Sequence, residues 1–381
     1  MNRRHFIGAL SVSPLAGASV GESIAAPDGD GLVSIFNGRD LDGWFVTEGP
    51  ESAFSVSDGA IVVNDSASYP TWLRSNRQYE NFDFRAEFFM KDWIDSGIYL
   101  HAPENGRPTW VGMQIKLFHQ VDEKPMSNSM GSIFPLVPPR KVNVKSNGDW
   151  NDIRILMDWP SLRVWTNGEL IQDLSVEENP ELRHRLRRGY LGLASLSYPI
   201  RFRNLRIREL PSKDRRQVLY GSAADFDGWY VSENKPNFQP MGRVLRGDGV
   251  GHLATKGKYR DFELTMYVRS EREHNSGVLF RTEGKGLSGK HYEIQLHNVE
   301  DAHYPTGSLY YFKRATYPRI EPEAWFPLQL IVKDAYALVR INGDTVLEYE
   351  GLENLDAGHI ELQAHRQDYW TEFKEIDIKE L

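Results

Sequence analysis

Along much of this chain, apolar and polar residues alternate with the period of two that a half-buried β-strand requires. Phe84, Ala86 and Phe88 are interleaved with Asp83, Arg85 and Glu87. Leu264, Met266 and Val268 repeat the pattern, and Leu205–Arg208 and Ile376–Lys379 carry it over shorter stretches. Two such runs turn back on themselves at Asn-Gly: Leu162–Leu170 around Asn167-Gly168, and Ala337–Val346 around Asn342-Gly343. Asn-Gly tolerates the positive φ of a two-residue hairpin turn. No long segment shows the 3.6-residue period of an amphipathic helix, so an all-β chain is expected.

The pattern is also written twice. Asp40-Leu41-Asp42-Gly43-Trp44 returns as Asp225-Phe226-Asp227-Gly228-Trp229, Tyr79-Glu80-Asn81-Phe82 as Tyr259-Arg260-Asp261-Phe262, and Ser96-Gly97-Ile98 as Ser276-Gly277-Val278. Gly131-Ser132-Ile133-Phe134 matches Gly307-Ser308-Leu309-Tyr310. Met113-Gln114-Ile115 aligns by residue type with Ile294-Gln295-Leu296. A period this long means two whole domains and not a solenoid. The polar stretch 211–216, opened by Pro211, is the natural linker between a first domain over 32–210 and a second over 216–381. About 170 residues of short strands per copy suggest a jelly-roll β-sandwich.

Composition narrows the function classes. The 381 residues carry a net charge of -8, which favours neither a nucleic-acid backbone nor an anionic membrane as partner. Cysteine is absent, which excludes disulfides, thiolate metal sites and cysteine nucleophiles. Arg3-Arg4 precedes a Gly/Ala-rich apolar stretch and small residues at 23–26. Residues 1–26 therefore read as a twin-arginine signal peptide, with the mature protein periplasmic or secreted and no later membrane span. Phosphate-loop, dinucleotide, zincin and nucleophile-elbow motifs are missing.

Five ordered segments carry a resemblance. They are Phe36–Trp44, Asn275-Ser276-Gly277-Val278-Leu279-Phe280-Arg281, Tyr292-Glu293-Ile294-Gln295, Thr306-Gly307-Ser308-Leu309-Tyr310 and Leu362-Gln363-Ala364-His365. Together they resemble the 3-keto-disaccharide hydrolase domain family, in two tandem copies. The resemblance implies two concanavalin/laminin-G-like jelly-roll β-sandwiches, and cleavage of glycosides already oxidised to a ketone at C3.

The duplication points to the second copy as the chemical one. Arg281 stands opposite His101, Gln363 opposite Ala194 and His365 opposite Leu196. On the alignment above, Glu293 faces Gly112, and Gln295 survives as Gln114. Glu293, Gln295 and His297 share one strand face, as do Glu361, Gln363 and His365. A solvated face of an antiparallel sheet shows the same alternation, so the resemblance is what turns these residues into a site. The chemistry of a C3 ketone then makes His365, whose ordinary pKa is near 6.5, first choice for a base and Glu293 second, Arg281 or a metal ion the enolate stabiliser, and Gln295, Gln363, Tyr310 and Asn275 the sugar contacts. Arg281, Glu293, Gln295, Gln363 and His365 are expected to meet in one cleft. A divalent metal ion on the His/Glu set is left open.

Other candidates stay ambiguous. His297 and His303 have no assigned role, and His291 reads as a loop residue. Trp93, Trp110, His101 and His119 in the first copy suit either a sugar surface or packing. Glu375-Ile376-Asp377-Ile378-Lys379-Glu380 fits a glycosidase E-x-D-x-x-E pattern, but its counterpart has Arg206, Arg208 and Glu209, so it reads as a solvated edge strand. A non-catalytic carbohydrate-binding module and a conventional glycosidase are the competing functions.

Overall fold

The computed structural model describes residues 28–64, 70–119, 124–145, 147–196, 198–234 and 237–381. The twin-arginine segment lies outside the described residues. The chain folds as two β-sandwiches, each pairing an eight-stranded with a five-stranded antiparallel sheet among the described residues. In the first copy the smaller sheet runs Trp44–Thr47, Trp72–Tyr79, Gly189–Ala194, Asp95–Ala102, Met113–Phe118. In the second it runs Trp229–Asn234, Gly251–Thr255, His359–Ala364, Asn275–Thr282, Tyr292–His297. The large sheet of the first copy ends at Leu210, and that of the second opens at Arg216. Between them, Asp214 takes ion pairs from Arg187, Arg216 and Lys379.

Alternation builds each core. Phe84, Ala86 and Phe88 point inward in one copy, and Leu264, Met266 and Val268 in the other. The inward residues of the small sheet in the second copy include Leu253, Val278, Phe280, Ile294, Leu296, Ile360, Leu362 and Ala364. This parity sends Glu293, Gln295, Glu361 and Gln363 to the opposite face.

The copies meet tightly. The short helix Pro108–Val111 lies against the Asn342-Gly343 turn, where Gly343 has φ +85 and any Cβ would collide with the Trp110 carbonyl. Glycine thus serves both the turn and the close approach. Arg340 donates to the carbonyls of His184 and Gly343, and burial lowers its pKa to about 10. The last strand, Trp370–Glu380, lies between Val244–Asp248 and Phe262–Ser270, so the expected edge strand is an interior one. Its Glu375 bonds Gln78 of the first copy at 3.0 Å and pairs with Arg243. That carboxylate serves the contact between copies. No helix among the described residues is long and apolar enough to cross a membrane.

Candidate active site

The site face of the second copy can be read in rows across four strands. One row runs His252, Gln363, Gly277, Gln295, and the next runs Ala254, Glu361, Leu279, Glu293. Gly277 leaves a gap at the centre. The Glu293 side chain folds into that gap, and a Cβ on Gly277 would collide with its Oε1. Glu293 therefore lies between the two glutamines. It is 5% exposed, and no hydrogen bond or ion pair reaches its carboxylate among the described residues. Burial alone raises its pKa to about 7.

The glutamines are anchored from the sides. Gln295 Nε2 donates to Asn275 Oδ1 at 2.7 Å, and Gln363 Nε2 lies 3.3 Å from His252 Nε2. Tyr310 joins through its backbone, its N–H donating to the Glu293 carbonyl at 2.9 Å. Its ring packs with Tyr304 and Tyr311, at centroid distances of 5.2 and 4.3 Å. The hydrogen bond with Tyr311 and then burial raise the Tyr310 pKa.

A buried clasp sets one wall. Glu361 is fully buried and accepts from the hydroxyls of Ser232 and Thr282 and, at 3.2 Å, from the Gly286 N–H. Glu233 accepts from the Leu287 N–H at 2.7 Å. Two carboxylates thus tie the 284–288 loop onto the sheet. Sequence reading placed Glu361 on this face without a role, and missed His252 and Glu233. The signal for His252 was its counterpart: the cross-strand register puts Trp72 there in the first copy.

Arg281 lies elsewhere, and its expected role is corrected. It sits at a bulge with φ +49, and its guanidinium is fully buried. It donates to the Arg260 carbonyl, the Asn354 carbonyl and Asp261 Oδ1, each at 3.0 Å. His101 has the same φ at the same bulge, and its ring nitrogens contact the Glu80 and Leu186 carbonyls at 2.7 and 2.9 Å. Both residues clamp a neighbouring turn to the sheet. Arg281 is engaged on every side and does not face Glu293.

His365 stands two residues beyond Gln363. It falls just past the end of the His359–Ala364 strand and is exposed. Partial desolvation of its ring lowers its pKa, and it lies within electrostatic reach of His297 and His274. His274 is buried and stacked on Tyr369, and burial lowers its pKa to about 4. Among the described residues no group of three His, Asp or Glu side chains is placed to hold a metal ion. His291 contacts the Gly289 carbonyl within its loop, and His303 is exposed beside Tyr304.

The alignment of copies is corrected by two residues. Gly97 pairs with Lys116 and Tyr99 with Gln114, whereas Gly277 pairs with Gln295 and Leu279 with Glu293. The Phe134 N–H donates to the Gln114 carbonyl, as the Tyr310 N–H does to that of Glu293. Gln114 therefore occupies the place of Glu293, and Lys116 that of Gln295. The connection before this strand is one residue shorter in the second copy, and residue types alone favoured the false match.

In the first copy the face is filled. Trp72, Tyr99, Ala102, Tyr190 and Ala194 form a separate buried apolar cluster, with Trp72 edge-on to Tyr99 at 5.5 Å. Gly192 stands where the second copy has Glu361, and a Cβ there would strike the Trp72 ring. A Lys116–Asp95 ion pair replaces the Gln295–Asn275 hydrogen bond. Trp110 packs with Arg107 and Arg185 at the contact between copies. Trp93, about half exposed, clusters with Phe118, His119 and Tyr198.

With this geometry in view, comparison with known proteins is informative. The family described as 3-keto-alpha-glucoside-1,2-lyase-like domain matches residues 31–208 and again 217–379. The chain belongs to that family. A 3-keto-disaccharide hydrolase of Bacteroides thetaiotaomicron is 23% identical over 175 residues, 39% of this chain and 60% of that protein. A crystal structure from Parabacteroides distasonis, provisionally assigned as a glycosyl hydrolase, superposes with TM-score 0.42 and 21% identity, over 48% of this chain and 95% of that one. A galectin-like protein of unknown function from Bacillus subtilis gives TM-score 0.33 and 14% identity, over 43% and 94%.

Proposed function

We propose that the second domain cleaves 3-keto-glycosides, 3-keto-disaccharides among them, by elimination across C1–C2 followed by hydration. The observation that carries this is Glu293: a buried carboxylate without a partner among the described residues, with pKa raised to about 7, set between two amide side chains. A ketone at C3 acidifies the C2 hydrogen. Glu293 takes that proton, the pair left on C2 forms the enolate, and the C1–O bond breaks as the leaving group departs with its electrons. Water then adds across C1–C2 and the 3-keto sugar is released. A base with a pKa near the working pH is suited to both proton transfers.

The enolate oxygen takes a hydrogen bond from the second amide N–H of Gln295, in place of the Arg281 contact expected from sequence. Tyr310, beside Glu293 and half-exposed, supplies the leaving-group proton or a stacking face. His365 is better suited to the mouth of the site than to proton abstraction. The twin-arginine pattern supports a periplasmic or secreted location, and replacing Arg3 and Arg4 by Lys should leave precursor in the cytoplasm.

Incubation with matched 3-keto and unoxidised disaccharides tests the proposal. Release of a free 3-keto sugar from the oxidised substrate alone is expected. Turnover of the unoxidised sugar would indicate a conventional glycosidase, and binding without turnover a carbohydrate-binding module.

A further inference from the structure

The chemistry above leaves one buried histidine unused. His252 occupies the site face in the row of Gln363 and Gln295, and it is 3% exposed. Its Nε2 lies 3.3 Å from Gln363 Nε2. Its Nδ1 lies 3.0 Å from Glu233 Oε2, out of line for a hydrogen bond. An amide nitrogen has no lone pair to offer, so Gln363 donates and the imidazole Nε2 accepts. That places the ring proton on Nδ1, the nitrogen facing the Glu233 carboxylate. Burial lowers the His252 pKa despite the nearby Glu361 and Glu233 charges, which keeps the ring neutral and able to accept.

The consequence falls on Gln363. With its nitrogen committed to His252, its Oε1 is buried and has no partner among the described residues. A buried carbonyl oxygen without a donor is expensive and calls for one. The Glu293 carboxylate, across Gly277, cannot supply a hydrogen when ionised. In the first copy the two positions hold Trp72 and Ala194, so the histidine–amide pair belongs to the second copy.

We propose that His252, whose Nδ1 faces the Glu233 carboxylate, is a positioning residue that fixes the Gln363 amide so that its oxygen accepts a hydrogen bond from a hydroxyl of the bound sugar. The assignment of that hydroxyl rests on the keto-sugar reading, whereas the orientation of the pair does not. A substrate analogue lacking that hydroxyl binds more weakly, because it leaves the same oxygen unpaired.

Two measurements test it on the full chain. In protein labelled with 15N-histidine, long-range proton–nitrogen correlation reads the tautomer of His252, whose signals are identified by their loss in His252→Gln. The Nδ1–H tautomer is expected; an Nε2–H tautomer or a charged ring at pH 7 would overturn the proposal. With a 3-keto disaccharide, His252→Ala and Gln363→Ala should each raise KM about tenfold or more while kcat changes less. The double variant should be no worse than Gln363→Ala alone, and His252→Gln, whose amide oxygen can accept from Gln363, should recover most of the loss. Additive losses, or an effect confined to thermal stability, would overturn it. If the unaltered protein turns over no keto sugar yet shows the Nδ1–H tautomer, the substrate reading fails and the orientation stands.

Discussion

The two small sheets share a backbone and differ in what lies on their outer faces. In the first copy that face is closed by Trp72, Tyr99 and Tyr190. In the second the same positions hold His252, Leu279 and His359, and the centre is left to Glu293, Gln295 and Gln363. A buried tryptophan gains hydrophobic stabilisation, whereas a buried carboxylate without a partner costs it. The difference teaches that one fold was resolved in two ways: one copy invests the face in stability, and the other keeps polar groups desolvated there. Such a cost is characteristic of sites whose groups must be reactive.

Perturbing the aromatic plug should give the largest effect. Trp72→Ala is expected to destabilise the protein by roughly 3–5 kcal/mol, read by denaturant unfolding, with turnover by the folded protein preserved. A loss of turnover out of proportion to unfolding would mean that the copies share a site. Next comes Arg281. Its replacement by Ala removes three hydrogen bonds, to Asp261 and two carbonyls, and should cost about 3 kcal/mol of stability, with little change in kcat once folded. A selective fall in kcat with stability unchanged would return Arg281 to the chemistry.

The cost of Glu293 should appear as a pH dependence. Its pKa is raised from 4.5 to about 7 by burial, so the folded state holds its proton over a range where the unfolded chain has lost it. The stabilising proton is fully present below pH 4.5 and is lost as pH rises through about 7. Glu293→Gln should therefore match the parent near pH 4 and exceed it by about 3 kcal/mol at pH 8, at about 1.4 kcal/mol per pKa unit. Equal differences at both pH values would show that Glu293 is not desolvated. The smallest effect is expected from Gln114→Glu, which restores the carboxylate to the first copy. With Trp72 and Ala194 still in place, the first copy should gain no measurable turnover. Any gained activity would break the contrast.

Much of this contrast was legible in the sequence, because strand parity is. Alternation assigned Glu293, Gln295, Glu361 and Gln363 to one face, and the Asn-Gly turns placed the hairpins. The exact match between copies was not legible. A slip of two residues returns every side chain to the same face, so the hydrophobic pattern cannot detect it. Only the ladder pairing shows that Gln114 stands for Glu293. Arg281 misled for a related reason: a bulge turns its side chain away from the face that simple alternation assigns. His252 and Glu233 were invisible because their partners are far away in sequence, and a residue type alone does not reveal what lies opposite it.

The central claim is that Glu293 carries out proton transfer in the second copy. The most direct test is kcat/KM of Glu293→Gln on a 3-keto disaccharide, followed from pH 5 to pH 9. The substitution is nearly isosteric and installs the residue that the first copy carries at the matching position. A loss on the order of 10²-fold or more is predicted, together with disappearance of the rise in rate near pH 7 in the unaltered protein. A variant that keeps both its rate and that pH dependence would contradict the account.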